Sequence, residues 1–215
     1  KRQFEGPVDK VQFLYSDGAP ELVQAAKELK WGHDKSTPGI HESNALAERT
    51  VRSIKEGGRT LMSQSGFSPK WWPQAARYKC HADNIAQIFN EEDGTLHSPI
   101  GDRIGEHCKA LRICFGQRVE YLPTPKAQKD KSFQLRSRVG LFVGYHFHAG
   151  GRWSGDYWVV DFEKLQYYPD STPGQCRLHR TKTIVNYDIS RRSNLSGDFP
   201  LGNYRELKAA TVTPY

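Results

Sequence analysis

The chain has 215 residues, of which 37% are hydrophobic, and no stretch approaches the roughly 18 consecutive apolar residues that a membrane-spanning helix needs. Its net charge is +7, and the whole excess lies in one half: residues 1–100 hold 13 basic and 13 acidic side chains, whereas residues 101–215 hold 18 and 11. Such a balance is typical of proteins with a polyanionic partner, most often nucleic acid, but also of basic surfaces without one. The length suits one large or two small domains.

Residue 1 is Lys and the only methionine is Met62, so we expect the sequence to be a piece of a longer protein. Its four cysteines form no Cys-x-x-Cys pair and match no disulfide framework. We therefore predict reduced, mostly buried cysteines in an intracellular protein. These residues are Cys80, Cys108, Cys114 and Cys176.

The first hundred residues alternate strand-like and helix-like patterns. Apolar residues recur at helical spacing after Pro20, after Ser43 and after Pro69, and prolines favour the first turn of a helix. Two adjacent glycines interrupt the second helix, where we expect a kink or fraying because each costs roughly 1 kcal/mol against Ala. The predicted elements are a strand at 10–15, a helix at 20–29, a strand at 31–35 and helices at 43–64 and 69–89.

After residue 100 the pattern changes to short apolar runs separated by Gly, Pro and polar turns. Several short strands at this spacing predict a small barrel or sandwich. The segment 126–131 reads as a charged loop, and the chain from 190 onward as a loose tail. The predicted strands cover 111–115, 118–122, 139–145, 157–162, 165–168 and 181–187.

The helix at 43–64 carries two stripes. One is apolar and should face the core: Ala47, Val51, Ile54, Gly58 and Leu61. The other lies about 100° away and aligns one carboxylate with an amide and three cations: Asn44, Glu48, Arg52, Lys55 and Arg59. The second stripe is consistent with ordinary pairing of Glu48 and Arg52, or with a functional surface.

A second carboxylate, Asp17, follows the first predicted strand in a Ser-Asp-Gly sequence. Such an Asp often only forms a turn. Its combination with Glu48 is more specific, because two carboxylates brought together can bind Mg²⁺. The cations after Glu48 would then contact the phosphates of a nucleic acid.

These motifs resemble a known family. The segments L-Y-S-D-G-A-P-E-L (14–22) and S-T-P-G-I-H-E-S-N-A-L-A-E-R-T-V-R (36–52) are similar to the integrase core of copia-type retrotransposons, and Q-S-G-F-S-P-K-W-W-P-Q-A-A (64–76) resembles its next helix. Three later segments resemble the SH3-like region that follows this core in the Pol polyprotein. They are H-S-P-I-G-D-R-I-G (97–105), L-R-I-C-F-G-Q-R-V-E-Y-L (111–122) and G-L-F-V-G-Y (140–145).

The resemblance implies an α/β fold: a partial ribonuclease H-like integrase core at 1–100, its first strands missing, a small all-β SH3-like barrel at 101–189, and a loose tail at 190–215. It implies that Asp17 and Glu48 are the second and third ligands of a catalytic D,D,E triad that holds Mg²⁺ or Mn²⁺. The same resemblance implies that the nucleic acid is bound by Asn44, Arg52, Lys55 and Arg59.

The implied activity is DNA integration by polynucleotidyl transfer: 3′-end processing and then strand transfer. The implied partners are the element's DNA ends and the target DNA. We also expect a homo-oligomer of the intact protein, no membrane, and a nuclear location during integration.

The sequence departs from the family pattern in several ways. The first Asp of the triad and the zinc-binding H-H-C-C module do not occur, the interval from Asp17 to Glu48 is short, and Ala45 replaces the usual Gly. We therefore predict that the isolated chain is catalytically inactive.

Three alternatives stay open. The chain could be a decayed or domesticated module that only binds nucleic acid, a hydrolytic nuclease or transposase with the same carboxylates, or a purely structural protein. Among single residues, packing is favoured over base stacking for Trp71, Trp72 and the aromatic group Trp153, Tyr157 and Trp158 beside Arg152. A surface or loop role is favoured for His33 and His41.

Overall fold

The computed structural model describes residues 10–16, 18–36, 45–91, 94–123, 136–185 and 199–201. The chain forms two compact units. The first comprises residues 1–55 and 147–152, and the second comprises residues 56–146 and 153–215. We call them the first unit and the second unit.

The first unit contains a strand–helix–strand motif. Strand β1 (Phe13–Ser16) is followed by helix α1 (Pro20–Leu29) and strand β2 (Gly32–Lys35), and the two strands pair in parallel. Pro20 stands in the first turn of α1, and Lys30 ends the helix in the left-handed conformation, with φ 57°. Ala26 on α1 is fully buried. Because parallel strands need a crossover connection, α1 brings the ends of β1 and β2 to the same edge.

Helix α2 (Ala45–Ser65) is a single α-helix of 21 residues. It continues through Gly57 and Gly58, so the expected interruption does not occur. Every residue from 46 to 53 is exposed, including Val51 of the predicted core stripe, whereas Gly58 is buried. The apolar stripe is therefore covered only toward its C-terminal end.

A one-turn 3-10 helix (Pro69–Trp71) leads into helix α3 (Trp72–Ile85). The predicted helix to residue 89 was too long, because Ala86 adopts φ −59°, ψ 125°, outside the helical region. Residues beyond it form an antiparallel hairpin of β3 (Ile88–Asn90) and β4 (Thr95–His97), followed by the short helix α4 (Pro99–Ile104). The Ser98 side chain caps α4 by accepting a hydrogen bond from the Gly101 amide at 3.1 Å.

The second half of the chain builds a five-stranded antiparallel sheet in the order β8-β7-β6-β5-β9. Within the described residues the sheet does not close into a barrel. A short helix, α5 (Phe162–Tyr167), follows β7. The strands are β5 (Arg118–Tyr121), β6 (Arg138–Phe147), β7 (Trp153–Asp161), β8 (Leu178–Thr181) and β9 (Ile184–Val185).

Two predicted strands have another structure. Residues 165–168 belong mainly to α5, in which Phe162 and Leu165 lie one turn apart and Leu165 is fully buried. Residues 111–115 pair with none of the described strands. Instead, tyrosine hydroxyls bond to their backbone. At Leu111, the amide donates to Tyr157 and the carbonyl accepts from Tyr145. At Ile113, the amide donates to Tyr145 and the carbonyl accepts from Tyr78. Tyrosine hydroxyls thus take the place of a neighbouring strand.

One hydrophobic core joins helices and sheet within the second unit. Phe67 and Trp71, which precede α3, pack in the same cluster as Phe115, Leu141 and other sheet residues. The remaining buried members are Ala75, Val143, Val160, Leu165, Cys176 and Leu201. The cluster draws on both sides of residue 100, and the domain boundaries proposed at 100 and 189 stay predictions.

The broad fold class and several smaller expectations can be compared with the described residues. Helices and strands are mixed, as predicted, and the ribonuclease H-like and SH3-like assignments stay predictions. Leu201 is 1% exposed, so this part of the predicted loose tail is packed. All four cysteines are free thiols, with Cys176 buried and the other three half-buried. No described helix has the length and apolar character required to cross a membrane.

Candidate metal and nucleic-acid site

The carboxyl end of β1 is held by several contacts within the first unit. Ser16 pairs with Lys35 in the parallel register, and the Ser36 amide donates to the Ser16 carbonyl at 2.8 Å. The Ser16 hydroxyl accepts a hydrogen bond from the Gly18 amide at 3.2 Å and lies 2.9 Å from His33 Nε2. The residue between them, Asp17, lies outside the described residues, so its predicted role stays a prediction.

Gly18 has a conformation that other residues rarely adopt. Its φ is +82°, and a Cβ at this position would lie 3.2 Å from Cδ of Lys35. The left-handed backbone and the close lysine stem both favour glycine here. The glycine of the Ser-Asp-Gly sequence therefore fits the left-handed backbone and the narrow space beside Lys35.

The other predicted ligand lies on α2. Glu48 is exposed, as are Arg52, Lys55 and Arg59 of the same stripe. None of these four side chains has a hydrogen bond or ion pair with another described residue, so Glu48 and Arg52 do not form the expected pair. The carboxylate and the three cations are consequently available to a ligand.

The exposed carboxylate fits a divalent cation by its chemistry. Carboxylate oxygens are the preferred ligands of Mg²⁺, and Glu48 has no competing protein cation at its side chain among the described residues. The described ranges contain no group of three or more metal-ligating side chains. Since Asp17 lies outside those ranges, that observation does not concern the predicted pair. Asn44 and His41 also lie outside the described residues.

Sequence reasoning missed the position of His33. The sequence favours a surface or loop role for His33, yet this residue is half-buried on β2 and bonds to Ser16. Its register partner is Leu14, which places it two residues before the paired position of Ser16. The hydrogen bond crosses between strands 17 residues apart, and no local pattern predicts such a contact.

The aromatic residues mostly pack, as favoured. Trp71 is fully buried and donates its indole N–H to the Ser171 carbonyl at 2.8 Å, whereas Trp72 is 62% exposed. Tyr157 is buried, and Trp153 and Trp158 are half-buried. Packing is therefore confirmed for most of this group, and Trp72 is the exception.

Two further carboxylates lie in the sheet of the second unit, and both are occupied by protein partners. Asp161 accepts hydrogen bonds from Tyr121 and His179, and Asp156 accepts from the guanidinium of Arg180. Burial works to raise the pKa of each carboxyl, but these donors outweigh it and the pKa falls below its ordinary value. We assign both to stabilising the sheet.

Comparison with models of known protein families finds no match for the chain. No curated protein matches it either. The family resemblance therefore rests on the motifs of the sequence.

Proposed function

We propose that the chain is part of a copia-type retrotransposon integrase, an enzyme that joins element DNA to target DNA by metal-dependent polynucleotidyl transfer. The observation that carries the proposal is the free, exposed stripe of Glu48, Arg52, Lys55 and Arg59 on α2. One carboxylate followed by three cations is the arrangement expected where a metal-bound phosphodiester meets a DNA backbone.

In this proposal Asp17 and Glu48 hold Mg²⁺ or Mn²⁺, which when bound supplies the positive charge that stabilises phosphodiester exchange. Arg52, Lys55 and Arg59 hold the DNA by its phosphates, and Asn44 helps to shape the site. In the intact protein, water first hydrolyses a phosphodiester near each 3′ end of the element DNA. The 3′-hydroxyl that is left then forms a bond to a target phosphorus, while the bond from that phosphorus to the target's 3′-oxygen breaks. DNA ends, target DNA and further copies of the chain are the proposed partners, with the nucleus as the place of integration.

A second candidate is a module that binds nucleic acid without catalysis. The same cations favour it, because phosphate contacts alone supply sequence-independent affinity. The two proposals differ at Glu48. An integrase site predicts that divalent cations and Glu48 change the way DNA is held, whereas a binding module is indifferent to both.

DNA binding by the stripe is tested by fluorescence anisotropy over a range of salt concentrations. Each phosphate contact contributes about 0.9 to the slope of log affinity against log salt. We expect the triple variant Arg52→Ala, Lys55→Ala, Arg59→Ala to lower this slope by about 2 to 3. A matched triple variant of exposed cations elsewhere, Lys27→Ala, Lys30→Ala, Arg77→Ala, should change it far less.

The matched single variants sharpen this test, because Arg49 and Arg52 are both exposed cations on α2 but only Arg52 belongs to the stripe. Equal losses from Arg49→Ala and Arg52→Ala would contradict a directed stripe. Titration with Mg²⁺ then separates the two candidates. If Glu48→Gln removes an effect of Mg²⁺ on DNA affinity, the integrase site is supported; if Mg²⁺ has no effect on either protein, the binding module is favoured.

We also propose that the isolated chain does not catalyse strand transfer, because two carboxylates without the first Asp hold two ions poorly. A strand-transfer assay with labelled DNA ends checks this. Product formation that Asp17→Asn abolishes would refute it.

A further inference from the structure

We propose that His33 is a positioning residue for Asp17: its hydrogen bond to Ser16 holds the end of β1 in the conformation that lets Asp17 bind a divalent cation. This inference rests on the metal role proposed for Asp17. It concerns only residues of the first unit.

The argument begins with the Ser16 hydroxyl, which lies between two groups. His33 Nε2 is 2.9 Å away and the amide nitrogen of Gly18 is 3.2 Å away. Ser16 is 7% exposed, so water competes little for these bonds. A single hydroxyl thus connects the residue after Asp17 to the neighbouring strand.

The chemistry of the three groups allows both bonds at once. A serine hydroxyl has one proton and two lone pairs, so it accepts from the Gly18 amide and also donates to, or accepts from, an imidazole nitrogen. Either neutral tautomer of His33 can therefore make the bond, and so can the charged ring. The proposed role depends on the presence of the hydrogen bond and not on the protonation of His33.

Among the described residues, the sheet alone does not hold this turn. Their ladder of β1 and β2 ends with the pair Ser16 and Lys35, and the Ser36 amide makes the last described bond to the Ser16 carbonyl. Gly18 lies beyond the ladder, in the left-handed conformation. The Ser16 side chain, oriented by His33, ties the Gly18 amide back to the strands. Residues on both sides of Asp17 are thereby fixed.

Two measurements test the role of this hydrogen bond: amide hydrogen exchange at Gly18, and Mn²⁺ affinity followed by electron paramagnetic resonance. Loss of one hydrogen bond is worth about 1 kcal/mol, or roughly a fivefold change. We expect His33→Ala to speed exchange at Gly18 and to weaken Mn²⁺ binding, each by about fivefold. His33→Gln, whose amide can still bond to Ser16, should restore most of both. His148→Ala, which changes an exposed histidine of the first unit, should leave both unchanged.

A double-mutant cycle isolates the hydrogen bond from any general loss of packing. In a Ser16→Ala background, His33→Ala should have no further effect on exchange or on Mn²⁺ affinity. The inference is overturned if His33→Ala leaves exchange or Mn²⁺ affinity unchanged in the native background, or if its effects persist without Ser16. Failure of the proposed function is recognised separately, because Asp17→Asn would then leave Mn²⁺ affinity unaltered in the otherwise native chain.

Discussion

At the scale of single residues, two glycines show how backbone conformation and space act separately. Gly116 and Gly105 both have left-handed φ, +79° and +75°. A Cβ on Gly116 would lie 2.2 Å from Cβ of Ser65, whereas a Cβ on Gly105 would meet nothing within 4 Å. The first position is therefore closed by a neighbour and the second is only strained.

We expect Gly116→Ala to lower the free energy of unfolding by more than about 3 kcal/mol, since left-handed strain and overpacking add. Gly105→Ala should cost only about 1 to 2 kcal/mol, because it carries the strain without the clash. Urea denaturation followed by circular dichroism measures both. Equal losses for the two variants would show that the contact with Ser65 has no energetic consequence.

A buried histidine gives the chain a defined pH dependence. His81 is 6% exposed, its ring centroid lies 4.5 Å from that of Tyr145, and burial lowers its pKa from 6.5 to about 4. Between these two values the unfolded chain takes up a proton and the folded chain does not. Stability is therefore greatest above pH 6.5 and decreases as the pH falls toward 4.

The expected loss is roughly 1.4 kcal/mol per pH unit, or about 3 kcal/mol in all. Urea denaturation at a series of pH values measures it, and the variant His81→Phe should show a flat profile over the same range. The pKa values of Asp156 and Asp161 are lowered below 3.8, so the stability that these carboxylates give the folded chain is lost at a lower pH than the His81 contribution. A native profile that is also flat between pH 6.5 and 4 would refute the assignment to His81.

At the scale of elements, α2 is uninterrupted at Gly57 and Gly58 and more exposed than its pattern suggested. Its two glycines differ in their surroundings: a Cβ on Gly57 would lie 2.4 Å from Cε of Lys79, whereas a Cβ on Gly58 would meet nothing within 4 Å. Helix propensity favours Ala over Gly by about 1 kcal/mol. The same change should thus have different outcomes at adjacent positions.

We predict that Gly58→Ala raises the free energy of unfolding by up to about 1 kcal/mol, since the methyl group has room and the helix gains propensity. Gly57→Ala should gain less, because the Lys79 side chain has to move. Thermal unfolding of the two variants and the native chain checks this. A destabilised Gly58→Ala variant would mean that this position is more crowded than the structure indicates.

At the scale of the whole molecule, the core of the second unit contains residues from both sides of the domain boundary predicted at residue 100. Trp71 lies before α3, is fully buried, and shares its cluster with Leu141 of β6. Its indole N–H also bonds to Ser171, 100 residues away in the chain. These contacts make helix and sheet one packed body.

We expect Trp71→Ala to destabilise the sheet as well as the helices, by about 3 to 5 kcal/mol, because it removes a large buried side chain and leaves a cavity. Amide hydrogen exchange in β6 and β7 is the measurement, with the exposed neighbour variant Trp72→Ala as the control. Unchanged protection of these strands in Trp71→Ala would instead support independent domains on either side of residue 100.

The elements that the sequence predicts correctly are those that depend on interactions between residues close together in the chain. Helical and alternating patterns are local, and they predicted α1, the strands β1 and β2, most strands of the sheet and the charged stripe of α2. The hairpin of β3 and β4 was missed, since three-residue strands hardly show a period and the Asp-Gly pair at 93–94 was the only signal.

Long-range contacts of the folded chain determine which of two adjacent tryptophans is buried, which hydroxyls hold the segment at 111–113, and that His33 bonds to Ser16. Each depends on groups between 17 and 100 residues apart in the chain. Local patterns specify which face of an element is apolar. Which partner covers that face, and which polar group satisfies which, is settled by packing of the folded chain.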